Sequence, residues 1–487
     1  MSVWNAKERG VGGRFPKTPW RSQRHLSGRE PDGRPAAPLG AVQQSISLDD
    51  LSENPQEPAN ARILECETIA SYNWMDRAGS SMIVPGMPAK WTPLAVPQKL
   101  NEDSGIFYRD RNAARYPDHP LEPAVEAILR MNKNSPKTKT ADPIDVFGCA
   151  STLGNLLRFV NRDAEPFRIL VEVVGRTVHF VRREKSPMDT IPDVRGYGHT
   201  FPEVYTTWES AVRGSASHQR VVRYLFGGFK CLCLFEGDGY LPDKMGNIEP
   251  VDTSFKMEHD GSHTSLEALA SSLAVSLAAS PRFGGALETS TAGVSIPQEA
   301  VFELKTRSSR RKLDQDAVIA SQMPRLWLRH ISNFILAYHS SGTFDDIKVL
   351  DVRTNLQAWE RENEKHLLKF ATLLQRIVDL ARGQPNGKME ITFSAGDECL
   401  HIRDQMPDVP SLLSNDAGKR WRVWLTNRAV DEDKEFEHDE EEVGVGSYCD
   451  TNGDLTRGDD FFEEYIAEAR DYTACDAECV YCGRCRY

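Results

Sequence analysis

The chain has 487 residues, of which 40% are hydrophobic and 27% charged, and its formal net charge is −12 at pH 7. This composition is typical of a soluble protein with a sizeable core, and no apolar run approaches the ~20 residues that span a bilayer. The N-terminus lacks the apolar segment of a secretory signal, so the ten cysteines are expected in a reducing compartment, nuclear or cytoplasmic. The negative charge argues against a surface that binds nucleic acid indiscriminately.

Composition divides the chain into four parts. Residues 1–60 are rich in Arg, Gly, Pro and Ser and predict a disordered basic leader. A solvated tail, an RNA contact and a targeting segment all remain open for it, although its acidic residues weaken the transit-peptide reading. We expect a globular domain at 61–427, an acidic linker at 428–460 and a small cysteine-rich tail at 461–487.

The periodicity of apolar residues predicts an α+β domain, a mixed β-sheet core flanked by helices. The predicted elements, in chain order, are an extended segment at 68–108, a helix at 121–132, a helix at 152–160, a hairpin at 167–174 and 177–181, a hairpin at 221–226 and 231–235, an insertion at 241–296, a strand at 301–306, a helical segment from 323, a strand at 334–339, one long helix at 356–381, and strands at 388–393 and 421–425.

The 301–306 strand, Val-Phe-Glu-Leu-Lys-Thr, carries the strongest chemical signal. Glu303 and Lys305 are two positions apart, so on a strand they point to one face. Upstream, Glu236 and Asp238 end another predicted strand, between glycines. Alone, a Glu-x-Lys pair on a strand is usually an exposed charged pair. Together, carboxylates and an ammonium on two strands suit a Mg²⁺-dependent phosphodiesterase, in which oxygen ligands hold the metal and a cation orients water.

In the same order along the chain, these motifs resemble those of the DXO-type decapping nucleases, a branch of the PD-(D/E)XK nuclease superfamily. Phe235–Asp238 resembles that family's Glu-x-Asp motif, and 302–306 resembles its Glu-aliphatic-Lys-Thr motif. Residues 198–203 resemble its Gly-aromatic-x-Phe-Glu motif, with Pro202 as an extra residue. The resemblance covers 140–350, and the strings at 72–74 and 196–200 and the cysteine-rich end also resemble an uncharacterised group of filamentous-fungal proteins.

The resemblance implies a two-metal site for Mg²⁺ or Mn²⁺ that acts on RNA 5′ ends. Its implied metal ligands are Glu203, Asp238, Glu303 and the Leu304 carbonyl. Glu236 would hold a metal-bound water, and Lys305 would orient or help deprotonate the attacking water.

Two departures from the family concern the grip on substrate. The family carries an arginine on its first helix, and the nearest one here, Arg158, is at least a turn away. Its downstream glutamine corresponds either to Gln322 or, by distance, to Arg329. Both are therefore candidate substrate-binding residues. Asp238 and Glu303 are also 65 positions apart, so the 241–296 insertion must loop out or cover the site.

A basic cluster follows the Lys305 strand directly. Such a run is usually a solvated loop, but at this place it is suited to the phosphates of an incoming strand. The candidate phosphate-binding residues are Arg307, Arg310 and Arg311.

The C-terminal cysteines, spaced x3, x2 and x2, predict a structural Zn²⁺ site in which four thiolates meet tetrahedral geometry. An iron–sulfur cluster fits less well, because no barrel follows, and unliganded thiols are the third alternative. The four residues are Cys475, Cys479, Cys482 and Cys485.

The sequence favours a metal-dependent RNA 5′-end hydrolase, either a decapping enzyme or a 5′-end nuclease, that binds RNA and no membrane. The alternative is a catalytically inactive nuclease-fold scaffold that binds RNA or partners an exonuclease. Acidic doublets lack the spacing of prenyl-diphosphate sites, and no Gly-x4-Gly-Lys phosphate loop is present.

Overall fold

A computed structural model describes residues 37–51, 61–77, 79–132, 144–192, 194–246, 286–311 and 315–432. Within these ranges the chain is α+β, as the sequence predicts. None of the described helices is long and apolar enough to cross a membrane. The predicted zinc cysteines, the acidic linker beyond 432 and the first 36 residues lie outside the described ranges.

The described strands, in chain order, are β1 (Val42–Ser47), β2 (Leu64–Met75), β3 (Ser81–Gly86), β4 (Lys90–Trp91), β5 (Val146–Cys149), β6 (Phe167–Val174), β7 (Thr177–Arg182), β8 (Thr206–Thr207), β9 (Ser215–Phe226), β10 (Phe229–Gly237), β11 (Gly239–Tyr240), β12 (Glu288–Gly293), β13 (Val301–Ser308), β14 (Asn333–Ser340), β15 (Thr343–Asp351), β16 (Lys388–Phe393) and β17 (Cys399–Arg403). The described helices are α1 (Arg111–Arg115), α2 (Glu122–Met131), α3 (Ala150–Val160), α4 (Thr200–Tyr205), α5 (Gln315–Arg329), α6 (Arg353–Glu362), α7 (Glu364–Gly383) and α8 (Asn415–Glu432).

Eleven of these strands form one sheet in the order β1-β17-β16-β6-β7-β5-β10-β9-β2-β3-β12. The β9–β10 hairpin lies near its middle and turns at Gly227-Gly228, as predicted, with Phe226 opposite Phe229. Both glycines have positive φ, the left-handed conformation that a tight hairpin requires.

The large sheet is covered on both faces, and β10 shows this by alternation. Cys231, Cys233 and Phe235 belong to a core shared with α3, α5 and α7, whereas Leu232 and Leu234 belong to a core shared with α2 and α8. A strand buried on both faces reads as a continuous apolar run, which the sequence of β10 is.

The other six strands form a second sheet in the order β15-β14-β13-β11-β4-β8. Its core packs α4 against β13 through aromatic rings, among them those of Phe201 and Phe302. The chain passes from the first sheet to the second between β10 and β11, because β10 pairs with β9 and β11 pairs with β13. A single residue, Asp238, separates the two strands.

Three predicted segments differ from the structure near the N-terminus and in the insertion. The leader was expected to extend to residue 60, but β1 pairs with β17 and Ile46 is fully buried. The 68–108 segment was expected to wrap over the core, but β2 lies inside the large sheet, between β9 and β3. The 241–296 insertion contains β12, which extends that sheet beside β3. In each case the ladder partner, which is distant in sequence, determines the strand.

Two predictions near the C-terminus are wrong. The long helix expected at 356–381 is two helices, α6 and α7, that meet at Asn363. The Asn363 side chain donates to the Trp359 carbonyl over 2.9 Å, and such bonds compete with helix continuation. The strand expected at 421–425 is part of helix α8, which also extends the domain beyond the predicted end at 427.

Candidate active site

The two sheets meet at a pair of carboxylates. Gly239 of β11 stands opposite Phe302 of β13 in an antiparallel ladder. The next position of the ladder therefore sets Asp238 beside Glu303, on neighbouring strands. The two residues are 65 positions apart in the chain, so the pairing depends wholly on the β11–β13 contact.

Asp238 is fixed by the backbone of the facing strand. Its Oδ2 accepts a hydrogen bond of 2.7 Å from the Leu304 N–H. Burial raises the pKa of Asp238 above its usual value, and the negative charge of Glu303 raises it further. The guanidinium groups of Arg325 and Arg329 oppose this shift. Desolvation and the charge of Glu303 thus outweigh the two guanidinium groups, and the pKa of Asp238 is raised to about 7.

Glu303 is fully buried, and an arginine from helix α5 approaches each of its oxygens. Arg325 Nε lies 2.7 Å from Oε1, and Arg329 Nη1 lies 2.6 Å from Oε2. Burial alone would raise the pKa of Glu303, but the two guanidinium groups outweigh it and, with Lys305, lower the pKa. Glu303 is therefore held as an anion.

Lys305 and Glu236 flank the pair. Lys305 is half-buried two positions along β13, where its charge acts on Glu303. Glu236 accepts from Arg111 Nη1 at 2.7 Å and from Gln219 Nε2 at 3.4 Å. The catalytic set expected from the sequence is Glu236, Asp238, Glu303 and Lys305. Glu236 lies on β10, Asp238 is the residue between β10 and β11, and Glu303 and Lys305 lie on β13.

The structure does not join Glu203 to this set. Glu203 lies on the exposed side of α4. Within the described ranges, no group of three or more His, Cys, Asp or Glu side chains is arranged to hold a metal ion. The predicted three-carboxylate ligand set is thus not assembled, because both oxygens of Glu303 face guanidinium groups and Glu203 faces outward.

The donor chemistry that remains still fits a hard divalent cation. Asp238 and Glu303 supply carboxylate oxygens, the ligands that Mg²⁺ and Mn²⁺ prefer. Glu303 Oε1 is buried and, among the described residues, receives no hydrogen bond, because its contact with Arg325 is an ion pair without hydrogen-bond geometry. A cation at this pair requires that at least one guanidinium group move away.

The predicted substrate-binding residues differ in their exposure to solvent. Arg310 is exposed in a short 3-10 turn after β13, and the backbone of that turn ends at Arg311. Arg307 is buried and donates to the neighbouring Thr306 carbonyl at 3.4 Å. Gln322 is also buried and donates to the Ser321 hydroxyl. Of the described side chains in this set, Arg310 is the one placed to meet an incoming strand from solvent, and Arg329 is committed to Glu303.

The sequence reasoning left two important cations unassigned. In the sequence analysis Arg325 received no role, but Arg325 and Arg329 are four apart, so a helix assignment already puts both on one face. The sequence gives no indication that Arg111 belongs to the site, because its contact with Glu236 joins a five-residue helix to a strand that is distant in sequence.

Glycine at position 239 is required by close packing. A Cβ there would collide with the Phe302 ring and lie 2.7 Å from the Ala89 carbonyl oxygen. We expect Gly239→Ala to cost about 1–3 kcal/mol and to displace Asp238, because overpacked sites shift the backbone. Gly383→Ala is the control, since nothing lies within 4 Å of the Cβ it adds. Urea unfolding of both variants measures the effect, and equal stability would contradict the packing argument.

Residues 53–394 match a family model described as "Domain of unknown function (DUF8563)". No curated protein matches the chain. Among solved structures, the chain is similar to S. pombe Rai1, with 11% identity, a TM-score of 0.47, and coverage of 74% of this chain and 99% of that one.

Two further solved structures were determined with manganese. Candida albicans Rai1 in complex with pU5-Mn²⁺ is 10% identical, with a TM-score of 0.44, and 80% of this chain and 99% of that one are covered. K. lactis Dxo1 in complex with manganese is 9% identical, with a TM-score of 0.39, and 78% and 97% are covered. These are proteins of the DXO type, which the sequence motifs resemble.

Proposed function

We propose that this chain, which belongs to the DUF8563 family, is a metal-dependent hydrolase of phosphodiester or pyrophosphate links at RNA 5′ ends. One observation supports this most strongly. Glu303 is fully buried and lies beside the half-buried Asp238 at the junction of two sheets, with Lys305 on the same strand as Glu303. Buried paired carboxylates are costly, and such clusters occur where a protein binds a cation or performs proton transfer.

The proposed roles follow from position. Asp238 and Glu303 would hold Mg²⁺ or Mn²⁺, which when bound would supply Lewis-acid activation of a phosphoryl oxygen and of water. Lys305, two positions from Glu303 on the same strand, orients the attacking water or helps to deprotonate it. Glu236, held by Arg111 at 2.7 Å, accepts a hydrogen bond from that water.

RNA is the proposed substrate because basic residues, among them the exposed Arg310, directly follow the site. Arg310 and Arg311 follow the end of β13, which is the strand that carries Glu303 and Lys305. Cations at this place would contact phosphates, which position a nucleic acid without reading its sequence. A chain with a net charge of −12 needs such a local basic region to approach RNA.

A second candidate function is a catalytically inactive scaffold that binds RNA or partners an exonuclease. Its specific support is the pair of arginines on Glu303, at 2.7 and 2.6 Å. If these ion pairs are permanent, Glu303 is a structural anion that anchors helix α5 to β13 and has no metal to hold.

Hydrolysis assays separate the two functions. We expect Mg²⁺- or Mn²⁺-dependent cleavage of 5′-triphosphate, capped or 5′-monophosphate RNA by the full chain, abolished by EDTA. Lys305→Ala should lower the rate by about 10²-fold or more, as loss of a group that assists proton transfer does. Lys388→Ala is the control, because Lys388 lies on β16 and contacts Ser411. No metal-dependent cleavage of any of the three RNAs by wild type would reject the enzyme in favour of the scaffold.

A further inference from the structure

The arginines of α5 and the carboxylates at the sheet junction form a charge-balanced cluster, in which only Asp238 is half-buried and the other side chains are largely buried. Asp238 and Glu303 carry two negative charges when ionised, and Arg325 and Arg329 carry two positive ones. The side chains of Arg325, Arg329 and Glu303 are 15%, 8% and 1% exposed, so solvent screens these charges little. Lys305 adds one more positive charge nearby.

This balance conflicts with binding of a divalent cation alone. Two added positive charges would leave the cluster with a large buried excess, which low-dielectric surroundings penalise heavily. An incoming phosphate group carries the compensating negative charge. Arginine is suited to receive it, because the planar guanidinium binds phosphate oxygens through two parallel hydrogen bonds.

A comparison within the chain shows what is particular to this cluster. Glu390 is also fully buried between two arginines, with Arg168 Nε at 2.6 Å and Arg183 Nη1 at 3.0 Å. Those arginines come from β6 and the residue after β7, two strands of the same hairpin. Among the described residues, no second carboxylate is recorded as sharing the arginines of Glu390, whereas Asp238 lies beside Glu303, so Glu390 provides a structural reference.

We infer that Arg325 and Arg329, through their two ion pairs, form a latch on Glu303. The arginines release Glu303 only when a phosphate group of the substrate binds them. Phosphate and divalent cation therefore bind as a coupled pair. The inference rests on the proposed function, since it concerns the same carboxylates. Arg325 is the more accessible of the two to an incoming phosphate, because its side chain is 15% exposed against 8% for Arg329. Arg329 is packed over the Phe235 ring, 5.8 Å from its centroid.

The latch makes the free protein a weak metal binder. It also requires that phosphate strengthen metal binding by the same factor as metal strengthens phosphate binding, since coupling free energies are reciprocal. A permanent structural ion pair, as at Glu390, gives no such coupling.

Isothermal titration calorimetry of Mn²⁺ into the full-length protein tests the latch, with uridine 5′-monophosphate as the phosphate probe and uridine as its control. We expect the nucleotide, and not uridine, to lower the Kd of Mn²⁺ at least 10-fold. Equal Mn²⁺ affinity with and without the nucleotide, or no Mn²⁺ binding in either condition, would overturn the inference. This measurement uses wild type alone, so it does not depend on the folding of a variant.

Two single variants give the matched comparison. Arg325→Gln should strengthen Mn²⁺ binding without nucleotide about 10-fold and reduce the coupling to about twofold or less. Arg183→Gln removes an arginine from Glu390 and should change neither quantity. Unchanged coupling in Arg325→Gln would also overturn the latch.

The RNA hydrolysis assay keeps the latch and the proposed function apart. Coupled binding without hydrolysis rejects the enzyme and retains the latch. Metal-dependent hydrolysis without coupled binding rejects the latch and retains the enzyme.

Discussion

Glu303→Gln is expected to destabilise the folded protein by about 3–5 kcal/mol, the cost of removing one partner from a buried ion pair. The substitution leaves Arg325 and Arg329, at 2.7 and 2.6 Å from the carboxylate oxygens, without their buried counter-charge. It also removes a proposed metal ligand, so hydrolysis of RNA should fall to background. Urea unfolding measures the first effect, and the RNA assay on folded protein below the unfolding transition measures the second.

Glu203→Gln is the matched control for stability. Glu203 is exposed on α4, so its neutralisation should change the free energy of unfolding by less than about 0.5 kcal/mol. A Glu303→Gln protein as stable as wild type would show that the arginines do not depend on Glu303. A folded variant with full hydrolytic activity would remove Glu303 from the proposed site.

Trp421→Ala is expected to have a similar effect, about 3–5 kcal/mol, because it empties a large volume in a packed core. Trp421 is fully buried on α8, and its ring lies 4.9 Å from Trp424 and 6.1 Å from Phe147 of the large sheet, centroid to centroid. The variant therefore loses the contact that docks α8 onto this sheet. Its free energy of unfolding, from urea denaturation, measures the loss.

Val423→Ala on the same helix is the control, since Val423 is 58% exposed. We expect a change below about 0.5 kcal/mol from it. If Trp421→Ala were as mild as Val423→Ala, helix α8 would contribute nothing to the stability of the domain, and the two-sided cover of the large sheet would be incorrect.

The misassignment of 421–425 shows where sequence patterns fail. The segment 421–425 is a short run of aromatic, β-branched and aliphatic residues broken only by Arg422, which is typical of a strand. In the folded chain Trp421 is buried, Val423 is exposed and Trp424 packs against Trp421, which is the spacing of a helix. A window of five residues cannot separate the two periods when both ends are apolar.

The central strands were predicted correctly because their patterns depend on local information. Both hairpins, β6–β7 and β9–β10, join strands rich in apolar residues through turns that contain glycine. The β1, β2 and β12 strands were not recognised as parts of the large sheet. Each is held by a partner far away in the chain, and β1, β3 and β12 lie at or near the sheet's ends.

The residues of the candidate site were likewise only partly predictable from the sequence. The sequence alone identified Glu236, Asp238, Glu303 and Lys305, because acidic and basic residues at strand ends stand out against apolar neighbours. It also grouped Glu203 with them through the resemblance, whereas the structure leaves Glu203 outside the buried pair.

The sequence by itself determined the α+β class, the central hairpins and the residue types available for chemistry, since all of these follow from local periodicity and composition. Only the tertiary structure decided that Asp238 meets Glu303, because a two-residue strand, β11, pairs with β13 across 65 positions of chain. Only the packing of α5 against that sheet decided that two arginines neutralise Glu303. Both contacts depend on how separate elements of the chain pack together, which local periodicity and composition do not specify.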